Sequence, residues 1–262
     1  MYFYCKDKFA RIIEGHYFMK SVTIISVLII IVLAFSNCQK ETIPDNFVIG
    51  SNNGVSVKLL EDQFSYSTYG QEEVLWIDVN DDGENDFKFF TYAVDSLGDQ
   101  DKRGSSVWST NHDIEFGYQI AYEDLFSVTK ESEKGKRKII YNERSHFYCA
   151  LCQNLSQKNK RFSFSSPVLL SEGSSLSNGI KWSDKLQILS QLDQSRQFSE
   201  EENNIPVYNN IMTGIWDKIE LGYIPFRIKI SFGKHQYGWI KLQVLDHRRI
   251  ELFEIGLQDI VF

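Results

Sequence analysis

The run Asp78-Val79-Asn80-Asp81-Asp82-Gly83-Glu84-Asn85-Asp86 carries oxygen side chains at loop positions 1, 3, 5 and 9 and a glycine at position 6. Alternate residues of a tight turn point the same way. Asp78, Asn80, Asp82 and Asp86 can therefore converge on one hard cation, with the carbonyl of Glu84 as a further ligand and Gly83 in a backbone angle that other residues resist. An all-oxygen set of this kind selects Ca2+, in a structural rather than a catalytic role. The alternative is an acidic hairpin turn without metal, because Asp, Asn and Gly favour turns on their own account. Position 12, where a bidentate Glu closes a helical calcium loop, is Phe89. That substitution predicts weak binding, with a Kd of roughly 0.1 to 1 mM, as in extracellular modules.

The nine residues resemble the calcium loops of dockerin, FG-GAP and thrombospondin type 3 repeats. The flanks Val74 to Val79 and Phe87 to Tyr92 read as extended rather than helical, so the loop is expected to close a β-hairpin.

Other residues with chemistry are weaker signals. Cys149-Ala150-Leu151-Cys152 is a CxxC followed by Gln153, which excludes haem attachment. A local disulfide between Cys149 and Cys152, free thiols, or redox or metal work remain open, with the disulfide favoured in an oxidising compartment. His112, Asp113 and Glu115 form the one cluster inviting acid–base chemistry, but on an alternating strand Asp113 and Glu115 simply share a polar face. There is no HExxH, no GxSxG and no glycine-rich phosphate loop. Trp76 and Trp239 sit in candidate strands on the face opposite the aliphatic residues, which makes them candidate stacking platforms for sugar rings.

A second resemblance concerns location. Met19-Lys20-Ser21, a 14-residue largely apolar run from Val22 to Phe35, and Cys38 resemble the lipoprotein signal of bacteria, whose cysteine becomes a diacylglycerol thioether. Phe35 and Asn37 stand where that signal has an aliphatic and a small residue. The run is short of the roughly 20 residues that span a bilayer. The resemblance implies an extension at residues 1–18 with translation starting at Met19, a signal peptide at 19–37, lipidation at Cys38, a polar tether at 38–46 and a folded domain at 47–262. It implies an envelope protein, lipid-anchored to the outer membrane and facing the periplasm or the surface.

A net charge of −7 argues against nucleic acid as a partner. Apolar residues alternate with polar ones more often than they recur at helical spacing. Strands are expected at Gly54 to Leu60, Glu73 to Val79, Asp86 to Tyr92, Ile114 to Ile120, Arg137 to Asn142, Arg161 to Leu170, Phe226 to Phe232, Tyr237 to Leu245 and Arg249 to Ile255. Trp182, Leu186, Leu189 and Leu192 predict one short helix, and the charge run Lys130 to Lys138 a solvated hairpin turn. The fold class is all-β, a single antiparallel β-sandwich or jelly-roll-like domain. Its final hairpin, Gly222 to Val244, resembles those of exported β-modules in bacterial surface proteins. The function expected is a non-catalytic, envelope-anchored structural or ligand-binding module, for a glycan or an envelope protein. The alternative is a secreted hydrolase of polysaccharide or another envelope polymer.

Overall fold

A computed structural model describes Ile43 and residues 47–95, 100–132, 135–144, 157–199, 205–216, 221–231 and 233–260. The chain divides into two compact units, Met1–Thr42 and Ile43–Phe262, and every described residue belongs to the second. The leader at 19–37, Cys38, the tether apart from Ile43, and the Cys149–Cys152 pair lie outside the described residues.

Among the described residues, thirteen strands form one sheet: β1 (Val55–Tyr66), β2 (Gln71–Ile77), β3 (Phe87–Asp95), β4 (Gln100–Ser109), β5 (Ile114–Ser132), β6 (Gly135–Asn142), β7 (Gln157–Pro167), β8 (Lys181–Ser183), β9 (Gln187–Ser199), β10 (Ile205–Thr213), β11 (Gly222–Ser231), β12 (Lys234–Leu245) and β13 (Arg249–Gln258). The hydrogen-bonded path runs β1-β13-β12-β11-β5-β6-β10-β9-β4-β3-β2, with β7 and β8 also on β5. Among the described pairs only β6 and β10 run parallel. All nine expected strands are present; the charge run, expected as a turn, is largely strand, with Lys130, Glu131 and Ser132 at the end of β5 paired to Arg137, Lys136 and Gly135 at the start of β6.

The all-β assignment follows from the alternation. Phe87 and Phe89 of β3, Ile114 and Phe116 of β5, Ile224 and Phe226 of β11, Ile240, Leu242 and Val244 of β12, and Ile250, Leu252 and Ile255 of β13 all point into one apolar core. The sheet therefore folds over on itself, sandwich-like, and its first and last strands meet. Ser65 and Ser67, at and just beyond the end of β1, both hydrogen-bond the buried Thr91 hydroxyl of β3 at 2.7 Å. The Tyr66 amide donates to the Glu73 carboxylate of β2 at 3.0 Å.

A second apolar cluster lies on the other face of β11 and β12, built by Phe47, Ile49, Val55, Leu176, Tyr223, Tyr237 and Trp239. Those two strands are consequently buried on both faces, as their consecutive buried residues require.

The expected helix at Trp182 to Leu192 is instead β8, a bend and the start of β9. The cause is a β-bulge. Ser105 pairs with Ser190 and Ser106 with Ile188, which leaves Leu189 as the extra residue. The bulge shifts the inward phase, so Leu189 and Leu192 are both buried at a spacing of three that imitates a helical stripe. Beyond Leu192, β9 continues to Ser199, paired to β4 and β10.

Candidate functional site

The aspartate loop joins β2 to β3 and is held open by its own hydrogen bonds. Asp86 anchors it: its amide donates to the Ile77 carbonyl at 2.8 Å, and its Oδ2 accepts the Val79 amide at 2.9 Å. Its carbonyl takes the Thr110 amide at 2.8 Å, tying the loop to the turn after β4. Asp78 Oδ1 accepts the amides of Asp81 at 2.7 Å and Asn80 at 3.2 Å, and its Oδ2 accepts that of Gly83 at 2.9 Å. Asp82 Oδ1 accepts the Glu84 amide at 2.8 Å, while the Asn80 side-chain amide donates to Asp82 Oδ2 at 2.9 Å. Gly83 has φ +88° and Asp81 φ +58°, the left-handed conformation the tight turn demands. Lys58 of β1 pairs with Asp81.

The electrostatics of the loop are uneven. Burial would raise Asp78, but the Gly83, Asp81 and Asn80 amides and the Lys58 charge outweigh it and hold the carboxyl below its usual range. Burial pushes Asp86 up to about 6 in spite of the Val79 amide, and the charges of Asp82 and Asp78 add to the rise. Asp86 is fully buried, and its Oδ1 has no hydrogen-bond partner. An ionised carboxylate in that state is costly unless something compensates its free oxygen.

Of the predicted ligands, Asp78 and Asp86 are drawn inward, whereas Asn80, Asp82 and Glu84 are exposed on the turn. The Glu84 side chain points to solvent, consistent with a ligand role through its carbonyl alone. Among the described residues, no three His, Cys, Asp or Glu side chains form a ready-made metal cluster. The oxygens the loop carries are mixed: the Asp78, Asp82 and Asp86 carboxylates, the Asn80 amide and the Glu84 carbonyl.

The hairpin carries aromatic residues on its outward face. Trp76, Lys88 and Trp108 stand in one row across β2, β3 and β4; Val74, Phe90 and Ser106 form the next, and Glu72, Tyr92 and Gly104 the third. Trp76 is 48% exposed. The Lys88 ammonium lies 4.3 Å from the Trp108 ring centre, 5.2 Å from Trp76 and 5.9 Å from Phe90. Between Trp108 and Tyr92 runs a trough of about 290 Å³, floored by Gly104, Ser105 and Ser106 and flanked by Leu186 and Ile188. A Cβ at Gly104 would lie 2.4 Å from the Tyr92 ring, so glycine lets that ring lie flat across β4.

Trp239 corrects the expectation of a second stacking platform. It is fully buried, 5.3 Å from the Tyr223 ring in an edge-on contact and against Gly256, where a Cβ would come within 2.2 Å of it. Alternation put it on the face opposite the aliphatics, as observed, but Phe47, Ile49 and Leu176 cover that face.

The His112 cluster is dispersed. His112 pairs with Asp184 at 2.6 Å, Asp113 with Lys229 at 3.5 Å and Glu115 with Arg227 at 2.6 Å. Sequence reasoning missed a buried Ser190–His247 hydrogen bond of 2.6 Å, which joins residues 57 apart and leaves no local pattern. It also missed Trp108 and its trough, because β4 shows too few apolar residues to read as a strand. No family model matches the sequence, and no curated protein and no solved structure is significantly similar to it.

Proposed function

We propose that this chain is a non-catalytic module of the bacterial envelope, lipid-anchored to the outer membrane through Cys38, whose β2–β3 hairpin is clipped by a structural calcium ion. The observation that carries the reading is Asp86, buried with an unpartnered Oδ1 beside Asp78 and Asp82. A divalent ion would offset that repulsion and hold β2 in register with β3, and with it the aromatic face. At ten times its Kd it would stabilise the fold by about 1.4 kcal/mol.

Calorimetry and thermal melting of the full chain, with calcium and with chelator, test this. The expected result is a weak heat of binding and a calcium-dependent rise in Tm, both lost in Asp82→Asn. An unchanged Tm and no heat would remove the ion. The anchor rests on sequence, and Cys38→Ser should abolish acylation and release the protein from the membrane fraction. A disulfide between Cys149 and Cys152 belongs to the same reading, and mass spectrometry with and without reductant reads it directly.

The Ser190–His247 pair is the feature a hydrolase would call on. Both side chains are buried, out of reach of a substrate, and the Ser190 backbone carbonyl accepts the Ser105 hydroxyl from the neighbouring strand. That favours a binding or structural role over catalysis.

A further inference from the structure

We infer that the trough between Trp108 and Tyr92 binds one ring of an acidic glycan, a uronate, with the sugar's C–H face on the aromatic walls and its carboxylate on Lys88. The inference deepens the binding-module reading and rests on it.

The row pattern makes this face a platform. Trp76, Lys88 and Trp108 stand abreast on three adjacent strands, Phe90 and Ser106 stand in the row beside them, and the alternate residues Phe87, Phe89 and Val107 point into the core. The second face of β11 and β12 has the same aromatic character but is covered by chain. Here Trp76 stays half exposed and Leu186 is 53% exposed. A volume of about 290 Å³ is at the low end for ligand sites, which suits one ring of a polymer passing across the face rather than an enclosed small molecule.

Lys88 selects the ligand. Lys58, Lys102 and Lys241 each have a carboxylate partner, whereas Lys88 has only aromatic ones among the described residues. Three rings hold the ammonium in place without neutralising it. In a chain of net charge −7, a cation so positioned and so far unmatched is complementary to an anionic group on a ligand. The trough beside it offers what a pyranose needs: flat apolar walls from Trp108, Phe90 and Tyr92, and the small hydroxyl of Ser106 on its floor. A peptide carboxylate would satisfy Lys88 but would leave the flat walls without a matching ring.

The test titrates the full chain in 1 mM calcium with a hyaluronate hexasaccharide, with cellohexaose and with an acidic hexapeptide, read by tryptophan fluorescence and calorimetry. The uronate oligomer is expected to bind about tenfold more tightly than the neutral one, the worth of one charge-assisted contact. Lys88→Met should erase that preference, Lys88→Arg should keep it, and Trp108→Ala should abolish binding of both sugars. Equal binding of the acidic and neutral oligomers, an unchanged preference in Lys88→Met, or tighter binding of the peptide would each overturn the inference. A calcium titration of the same sample separates it from the clip. If calcium gives no heat while the uronate binds with the expected variant pattern, the trough stands and the ion falls. If the protein responds to calcium and binds neither sugar, the trough falls.

Discussion

Asp86 is the residue where the cost of the loop is concentrated. Its Oδ2 is satisfied by the Val79 amide and its Oδ1 by nothing, with two further carboxylates nearby. Asp86→Asn removes the charge and keeps the shape, so its effect should change sign with the ion. In chelator the variant should melt at or above the wild-type temperature, and in calcium below it; a loss of equal size in both buffers would argue against an ion. The same carboxyl sets a pH dependence in the metal-free protein. Its pKa is raised from 3.8 to about 6 in the folded state, so the native chain holds a proton that the unfolded chain has released. Stability from this group is therefore full below about pH 4 and falls as pH rises to about 6. Urea melts in chelator across that range, compared with Asp86→Asn as the flat control, measure it. The loop itself was legible in the sequence because its aspartates, asparagine and glycine are near neighbours. The partner in this network that was not legible is Lys58, whose pairing with Asp81 comes from a different strand.

At the scale of elements, the two candidate tryptophans separate cleanly. Both occupy the non-aliphatic phase of a strand, but Trp76 lies near the last edge of the sheet and Trp239 between two neighbours with chain over it. Trp239→Ala should cost about 3–5 kcal/mol in urea denaturation, and Trp76→Ala no more than about 1 kcal/mol. Similar losses for the two would mean that the burial assigned to these faces is wrong. Period-two alternation reports which side of a sheet a residue is on, and not what covers that side. The stretch Trp182 to Leu192 carries the complementary lesson. A bulge at Leu189 changes the phase of burial inside β9, and the resulting three-residue step is indistinguishable in one dimension from a turn of helix.

At the scale of the molecule, closure depends on a seam of hydroxyl groups rather than on a ladder. Ser65 and Ser67 reach Thr91 across the gap between the sheet's ends, and all three are buried. Thr91→Val keeps the volume and leaves two serine hydroxyls without their partner, so it should cost about 1–3 kcal/mol. Thr91→Ser, which restores the hydroxyl, should recover most of that loss in the same denaturation assay. Failure of the serine variant to do so would assign the effect to packing. Sequence alone determined the all-β class, nine of the strands and the aspartate loop, because alternation and turn chemistry are written between residues a few positions apart. Only the tertiary structure decided that the sheet closes on itself, that Trp239 is interior, and that Lys88 stands between Trp76 and Trp108. Those facts depend on which strands become neighbours and what lies over them, and pairings across long separations leave no periodic trace in the chain.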